Sequence, residues 1–589
     1  MTRLVIDPVT RIGGHLRIEV DVEGGAVGDA WSSGTVFRGM ESVLVGRDAR
    51  DAWLLAQRVC GLCSGAHALA SVRAVENALG LTIPKDARLL RNILSGTQFV
   101  LDHVVHFYHL HAVDWVDTAA ALRADPAAAA AYMRSNGQSG ATAASVAASR
   151  DRIAASVAAG GTGALSTMYA GHPAYRLSPD VGLAILVHYV DAIDWQRSFV
   201  RIQALIGGKS PHPQTFLVGG MATAPVWGGP SRGGSGEHPP LTPEESPGAL
   251  SDVGLSEMGD LIASARIFVD HVYLPDVVAV ARAYPEWARL GVGIGNYLAF
   301  GDFPADDTAT PKLYLHRGRL MDHGLARVER VYQEGVAESV AHSWYVDHGG
   351  DSGLVRPKDE ITEPSYTGPM PPYTSLAGSD RYSWIKAPRF EGQPMEVGPL
   401  SRMLVASSDG QDDIRAALAS VLTTLGMGME DLLSTMGRVV ARAVEAQAIV
   451  VQLAAWHEQL VANLATGDLA VADVSRWDPS TWPSTAEGWS LGESPRGAVG
   501  HWLSIRDGRI EHYEIVDATT WNASPRDRTG WRGAIETALP GTPVADPARP
   551  LEILRTVHSF DPCTACAVHQ FDPASASVPV AVGIREVRR

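Results

Sequence analysis

The sequence predicts an α+β fold, mostly α. A central bundle of long helices carries small peripheral β-sheets, and both chain ends meet in the middle. Three observations predict it. Long stretches at 85–122, 179–207, 247–282 and 410–466 place apolar residues at helical spacing. Alternating apolar and polar residues mark short strands at 3–8, 15–22 and 499–516. All four cysteines of the 589-residue chain fall in two CxxC pairs near opposite ends, Cys60/Cys63 and Cys563/Cys566.

In chain order, 3–8 and 15–22 are strands, and Glu23-Gly24-Gly25 turns the chain back into a strand at 26–32. Residues 48–79 are helical on both sides of the first cysteine pair. Residues 85–122 form a long apolar helix rich in histidine (His103, His106, His109, His111), and 126–160 an Ala-rich helical excursion. The Gly/Pro-dense stretch 208–246 is a loop between the helices at 179–207 and 247–282. Residues 300–400 mix short strands with turns, and 410–466 hold two helices. Residues 499–516 are a hairpin turning at Arg506-Asp507-Gly508-Arg509, and the tail 570–589 ends in an alternating run. There is no internal repeat. Length alone allows several domains, but we read one over 1–589. Its parts are a β-hairpin region (1–47), a helical core half (48–282), a mixed strand and loop region (283–409), a second helical and hairpin segment with the second cysteine motif (410–569), and the tail (570–589).

Composition narrows the function. With 46% hydrophobic and 19% charged residues the chain is globular. A net charge of −16 excludes nucleic acid as a partner, since phosphate binding needs clustered Lys and Arg. The reading expects no transmembrane segment of its own and no signal peptide. The default location is cytoplasmic, with membrane association through partners as the alternative. Few cysteines argue against a disulfide framework and for metal or redox sites.

Two CxxC pairs can hold one metal. A structural zinc site is one reading, but zinc knuckles usually lie within a few tens of residues of each other, whereas these close only once the whole chain has folded. A dithiol redox reading is weaker, because neither pair sits in a βαβ pattern. The flanks are more specific. Arg58-Val59-Cys60-Gly61-Leu62-Cys63-Ser64-Gly65-Ala66-His67 and Asp561-Pro562-Cys563-Thr564-Ala565-Cys566-Ala567-Val568-His569 closely resemble the paired motifs of the large, catalytic subunit of nickel–iron hydrogenases. The resemblance runs nearly end to end, through Thr10-Arg11-Ile12-Gly13-Gly14-His15, Phe37-Arg38-Gly39-Met40-Glu41, Gly208-Lys209-Ser210-Pro211-His212, Pro495-Arg496-Gly497 and Thr519-Thr520-Trp521-Asn522. It is strongest to the uptake branch, with an Ala- and Arg-rich composition of actinobacterial type.

The resemblance implies a nickel–iron centre with carbon monoxide and cyanide ligands. Cys60 and Cys563 match terminal nickel ligands, and Cys63 and Cys566 the bridging pair; soft thiolates suit a redox-active late metal. Cys563 would take the first proton when H2 is split. Arg496, following Pro495, matches the arginine over the metals, with Asp102 and Asp561 as its carboxylates. Thr519 matches the hydroxyl that donates to a cyanide, and His67 a donor to a bridging sulfur. Glu41, His569 and the carbonyl of Ile515 match a magnesium-type site. Read without the resemblance, Arg496 is a turn residue, Thr519 an ordinary turn threonine and His67 a satisfied core histidine.

Two departures stand out. The family usually has Glu where this chain has Gly13, so the usual proton relay is missing; His15, Glu41, Asp561 or ordered water are candidate detours. Asp517-Ala518 stands where an apolar residue and a proline are more usual. If all four thiols hold the centre, iron–sulfur clusters must lie in a small-subunit partner. A higher oligomer of heterodimers, and a maturation protease that removes residues 570–589, complete the expectation. The expected function is an uptake hydrogenase. A hydrogen-sensing regulatory hydrogenase (opposed by the tail), a non-catalytic subunit like that of complex I (opposed by the intact cysteines) and a zinc-stapled scaffold are the alternatives.

Overall fold

The computed structural model describes residues 2–160, 165, 169–223, 250–306, 308, 310–371, 373, 375–467, 470–567 and 583–587; of 566, 567 and 583–587 it describes the backbone alone. Part of the expected loop at 208–246, His569, most of the tail and the side chain of Cys566 therefore lie outside the described residues.

The helices Lys85–Val105 and Thr435–Ala465 pack along each other at the centre. The second is capped by Ser434, whose hydroxyl accepts from the amide of Gly437. By length and apolar composition Thr435–Ala465 could span a membrane, but 67% of its most apolar window is buried inside the protein, where it is the core helix. Gly96 allows the close approach: a Cβ there would lie 3.0 Å from Leu453 Cδ2 and 3.1 Å from the ring of Trp456. The helices Pro179–Phe199, Asp252–Phe268 and Leu274–Ala283 complete the bundle.

Two expectations change in detail. The histidine-rich helix ends at Val105 and continues as a π turn over His106–His111, which buries His106, Phe107, Tyr108 and His111. A π turn holds one more residue than an α turn, so the side chains are re-aimed. The hairpin at 499–516 has a third strand. Thr485–Ser494 pairs antiparallel with Gly497–Arg506, which pairs with Arg509–Val516. Glycines at 488 and 492 hide Thr485–Ser494 from a propensity reading. Gly488 lets the strand lie against the helix Ser64–Leu79, since a Cβ there would lie 2.1 Å from the carbonyl oxygen of Ala74.

A separate four-stranded antiparallel sheet is ordered Gly583–Val587, Thr2–Asp7, Leu16–Glu23, Ala26–Gly34. Its inner face packs on the helix Leu551–Ser559. Just beyond that helix Cys563 meets Gly13 in a parallel bridge, and the amide of Ala565 donates to the carbonyl of Gly13. The two ends of the chain thus close over one spot.

Candidate metal centre

The first cysteine pair lies in a loop held from outside. Arg38 donates to the carbonyls of Arg58 and Val59, and the Gln98 amide to that of Leu62. Cys60 is extended, and its sulfur accepts from the amides of Leu62 (3.2 Å) and Cys63 (3.1 Å). Cys63 stands at the N-terminus of the helix Ser64–Leu79, where the helix dipole favours a thiolate. Cys563 arrives from the other end of the chain with its Sγ 3.5 Å from that of Cys60. Cys60, Cys63 and Cys563 are buried, and none is in a disulfide. Among the described residues no three His, Cys, Asp or Glu side chains gather as a metal-ligand group; the fourth sulfur, of Cys566, is outside them.

Arg496 is carried on the two-residue turn between Ser494 and Gly497. Gly497, at φ 142°, admits the close approach of Gly398, whose amide nitrogen would lie 2.8 Å from a Cβ there. The carbonyls of Ser494 and Pro495 both accept from Arg402. Arg402 is fully buried, forks onto Glu445 at 2.6 Å and pairs with Glu493; His103 closes the network on Glu445. Arg496 Nη1 donates to Asp102 at 3.0 Å, and its Nε stands 3.2 Å from Asp561 Oδ2, off the line a hydrogen bond needs. Arg442 Nη1 lies 3.7 Å from the same oxygen. Asp561 holds the left-handed conformation, φ 52°, which non-glycine residues seldom adopt and which concentrates at functional sites.

Burial works against the Arg496 charge, but Asp561 and Asp102 hold its pKa well above the ordinary value. Burial pushes Asp102 up to about 7; the Arg496 charge pulls the other way, and the negative charge of Asp561 adds to the rise. Burial likewise pushes the His67 imidazole down to about 4, so it is neutral.

Thr519 accepts from the amide of Cys563 at 3.0 Å, which leaves its own hydroxyl hydrogen to donate elsewhere. Its helix, Ala518–Asn522, is capped by Asp517, which burial raises to about 6. Glu41 is buried on Met40–Leu44, a helix packed on the strand that carries Ile515. Burial, then the charge of Glu514, push its pKa up. Lys386 spans Glu338 and Glu514 beside it. A cavity of about 240 Å³ opens against Asp102 and Leu62 and is walled largely by apolar groups such as Leu94, Leu101, Val105 and Phe216. A larger cavity of about 350 Å³, at Arg73, Arg88 and Trp489, shares none of these residues.

The sequence reading thus names residues that the structure brings into one region, Cys60, Cys63, Cys563, Arg496, Asp102, Asp561, Thr519 and His67, with Glu41 near Lys386 and Ile515 next in sequence to the Glu514 that Lys386 pairs with. It missed Arg442, Glu445, Arg402, His501, Tyr513 and Lys386. A signal existed for two of them. Arg438, Arg442 and Glu445, at spacings of four and three, put charge on one face of an apolar helix, and buried charge needs partners.

The donor set fits a soft bimetallic centre. Two sulfurs lie within 3.5 Å, and buried polar atoms around them, Nε2 of His67, Nε of Arg496 and Oδ2 of Asp561, have no hydrogen-bond partner among the described residues.

Residues 38–569 match the family described as nickel-dependent hydrogenase, and residues 3–32 match one described as HoxL-like. The uptake hydrogenase large subunit of Rhizobium leguminosarum bv. viciae is 43% identical over 97% of this chain and 96% of that protein. The hydrogenase-1 large chain of Escherichia coli (strain K12) is 39% identical over 96% and 95%. Among solved structures, the reduced Ni-Fe-Se hydrogenase from D. vulgaris Hildenborough superposes with a TM-score of 0.74 at 30% identity, covering 96% of this chain and all of that one. A reduced, active Ni-Fe-Se hydrogenase from Desulfomicrobium baculatum gives 0.72 at 31%, with the same coverage.

Proposed function

This chain belongs to the nickel-dependent hydrogenase family, and from that membership we propose how its residues divide the work of a catalytic large subunit. It is an oxidoreductase of the uptake hydrogenase type, acting on H2 with a small-subunit partner around a nickel–iron centre. When bound, that centre supplies the redox and Lewis-acid chemistry that splits H2 heterolytically.

In our reading Cys60 and Cys563 would hold nickel as terminal ligands and Cys63 and Cys566 would be the bridging thiolates, with carbon monoxide and cyanide completing the centre. The Cys563 sulfur takes the first proton. Arg496, held by Asp102 and Asp561, keeps a fixed cation over the site, and Pro495 shapes the turn that presents it. The Thr519 hydroxyl donates to a cyanide and the His67 Nε2–H to a sulfur. Glu41, the Ile515 carbonyl and His569 hold magnesium or a similar hard cation. Electrons leave through iron–sulfur clusters in the small subunit. The exposed apolar side chains of Val43, Val45, Leu54 and Leu62, in and just before the first motif, support docking there. A maturation protease acting after His569, a higher oligomer of heterodimers, and a cytoplasmic location with membrane association through partners rest on the resemblance.

The observation that carries this reading is the 3.5 Å approach of Cys60 and Cys563. Metal analysis with infrared spectroscopy of the purified heterodimer tests it. Nickel and iron in equal amounts with carbon monoxide and cyanide bands are expected; zinc alone overturns it. Cys563→Ala abolishes hydrogen oxidation while circular dichroism keeps its helical signal, and retained activity would remove the ligand role.

A further inference from the structure

Behind the first cysteine pair lies a line of three buried side chains to which the mechanism above gives no joint role. His67 Nδ1 is 3.1 Å from His501 Nε2, and His501 Nδ1 is 2.7 Å from the hydroxyl of Tyr513. All three residues are at most 2% exposed. The remaining ring nitrogen of His67, Nε2, is buried with no hydrogen-bond partner among the described residues. His67 sits one helical turn past Cys63 on the helix Ser64–Leu79.

The direction of each hydrogen bond follows from donor arithmetic. A thiolate offers only lone pairs, so a ring nitrogen facing one must carry a hydrogen. A neutral imidazole has one N–H. If His67 carries it on Nε2, its Nδ1 accepts, and His501 must donate from Nε2. His501 Nδ1 then accepts, and the Tyr513 hydroxyl donates to it. The opposite sense would turn the Nε2 lone pair of His67 toward anionic sulfur. His501 and Tyr513 stand on neighbouring strands, Gly497–Arg506 and Arg509–Val516, whose ladder pairs His501 with Ile515 and Leu503 with Tyr513. The line is therefore held by sheet rather than by loop.

We propose that His501 and Tyr513 are positioning residues that lock His67 in its Nε2–H form, so that it donates a charge-assisted hydrogen bond to a cysteine sulfur of the metal centre. The proposal rests on the reading that the cysteines hold nickel and iron. A donor aimed at a metal-bound sulfur withdraws electron density from it, which tunes the centre's potential.

Three variants of the assembled heterodimer test this. Tyr513→Phe removes one oxygen and little else. His501→Phe breaks the line. His501→Gln keeps an amide N–H to donate and a carbonyl to accept. With nickel and iron at the parent's stoichiometry, the two Phe variants are expected to shift the carbon monoxide and cyanide infrared bands and the midpoint potential. They are also expected to lower hydrogen oxidation about tenfold. His501→Gln is expected to return the bands to the parent positions. Unchanged bands and potentials in metal-loaded Tyr513→Phe overturn the relay and leave the metal reading standing. A parent protein without nickel or without such bands overturns the metal reading, and the relay with it.

Discussion

At residue 13, where the resemblance read from the sequence implies a proton-accepting glutamate, the chain has a glycine, and the space around it is already filled. A Cβ there would lie 2.7 Å from the Cys563 sulfur and 3.3 Å from Leu62 Cδ1. The obvious repair, Gly13→Glu, must therefore push a proposed nickel ligand aside before it can carry a proton. We expect this variant to lose nickel and to oxidise hydrogen at least about tenfold more slowly, by elemental analysis and an amperometric hydrogen assay. Full nickel with unimpaired activity would mean that the thiol yields. Arg496, Asp102 and Asp561 were legible because short motifs carried them. Arg442 was legible only as a buried charge in need of a partner, because nothing local tells an arginine inside an apolar helix that it shares a carboxylate with another arginine on a distant hairpin.

Among the elements, the central helix pair was the most legible, since long apolar periodicity survives any tertiary context. Its closeness was not, because that depends on which residue faces which. Gly96→Leu on Lys85–Val105 would drive methyl groups into Leu453 and Trp456, and overpacking of this kind costs about 1–3 kcal/mol. Scanning calorimetry of the heterodimer should show a lower melting temperature. An unchanged midpoint would show that the helices can slide apart. The strand Thr485–Ser494 and the π turn His106–His111 escaped the sequence reading for a common reason. A strand with internal glycines has low β propensity, and a π turn differs from an α turn by one residue of register. Both are set by the surfaces they fit.

Across the whole molecule, Glu445 ties together four elements: its own helix Thr435–Ala465, His103 on Lys85–Val105, and, through Arg402 on Pro399–Ser408, Glu493 on Thr485–Ser494. Burial opposes its ionisation, but Arg402 outweighs burial and holds its pKa at about 2, below the ordinary 4.5. A depressed folded-state pKa stabilises the fold above the ordinary carboxylate value, and that stabilisation is lost as pH falls toward the folded value. Glu445→Gln leaves Arg402 short of its partner, and breaking a buried pair costs about 3–5 kcal/mol. The melting temperatures of parent and variant should therefore differ widely at pH 7 and converge as pH falls from 4.5 toward 2; a gap independent of pH would contradict this linkage. By itself the sequence determined the mostly helical α+β class, the long helices, the four thiols and the family, because periodicity and motif spacing are local and survive in one dimension. Only the tertiary structure decided how closely Cys60 and Cys563 approach, that Gly13 has no room beside them, and that Arg402, Arg442, His501 and Tyr513 stand behind the site. Those facts depend on contacts between segments hundreds of residues apart, which exist only once the chain has closed on itself.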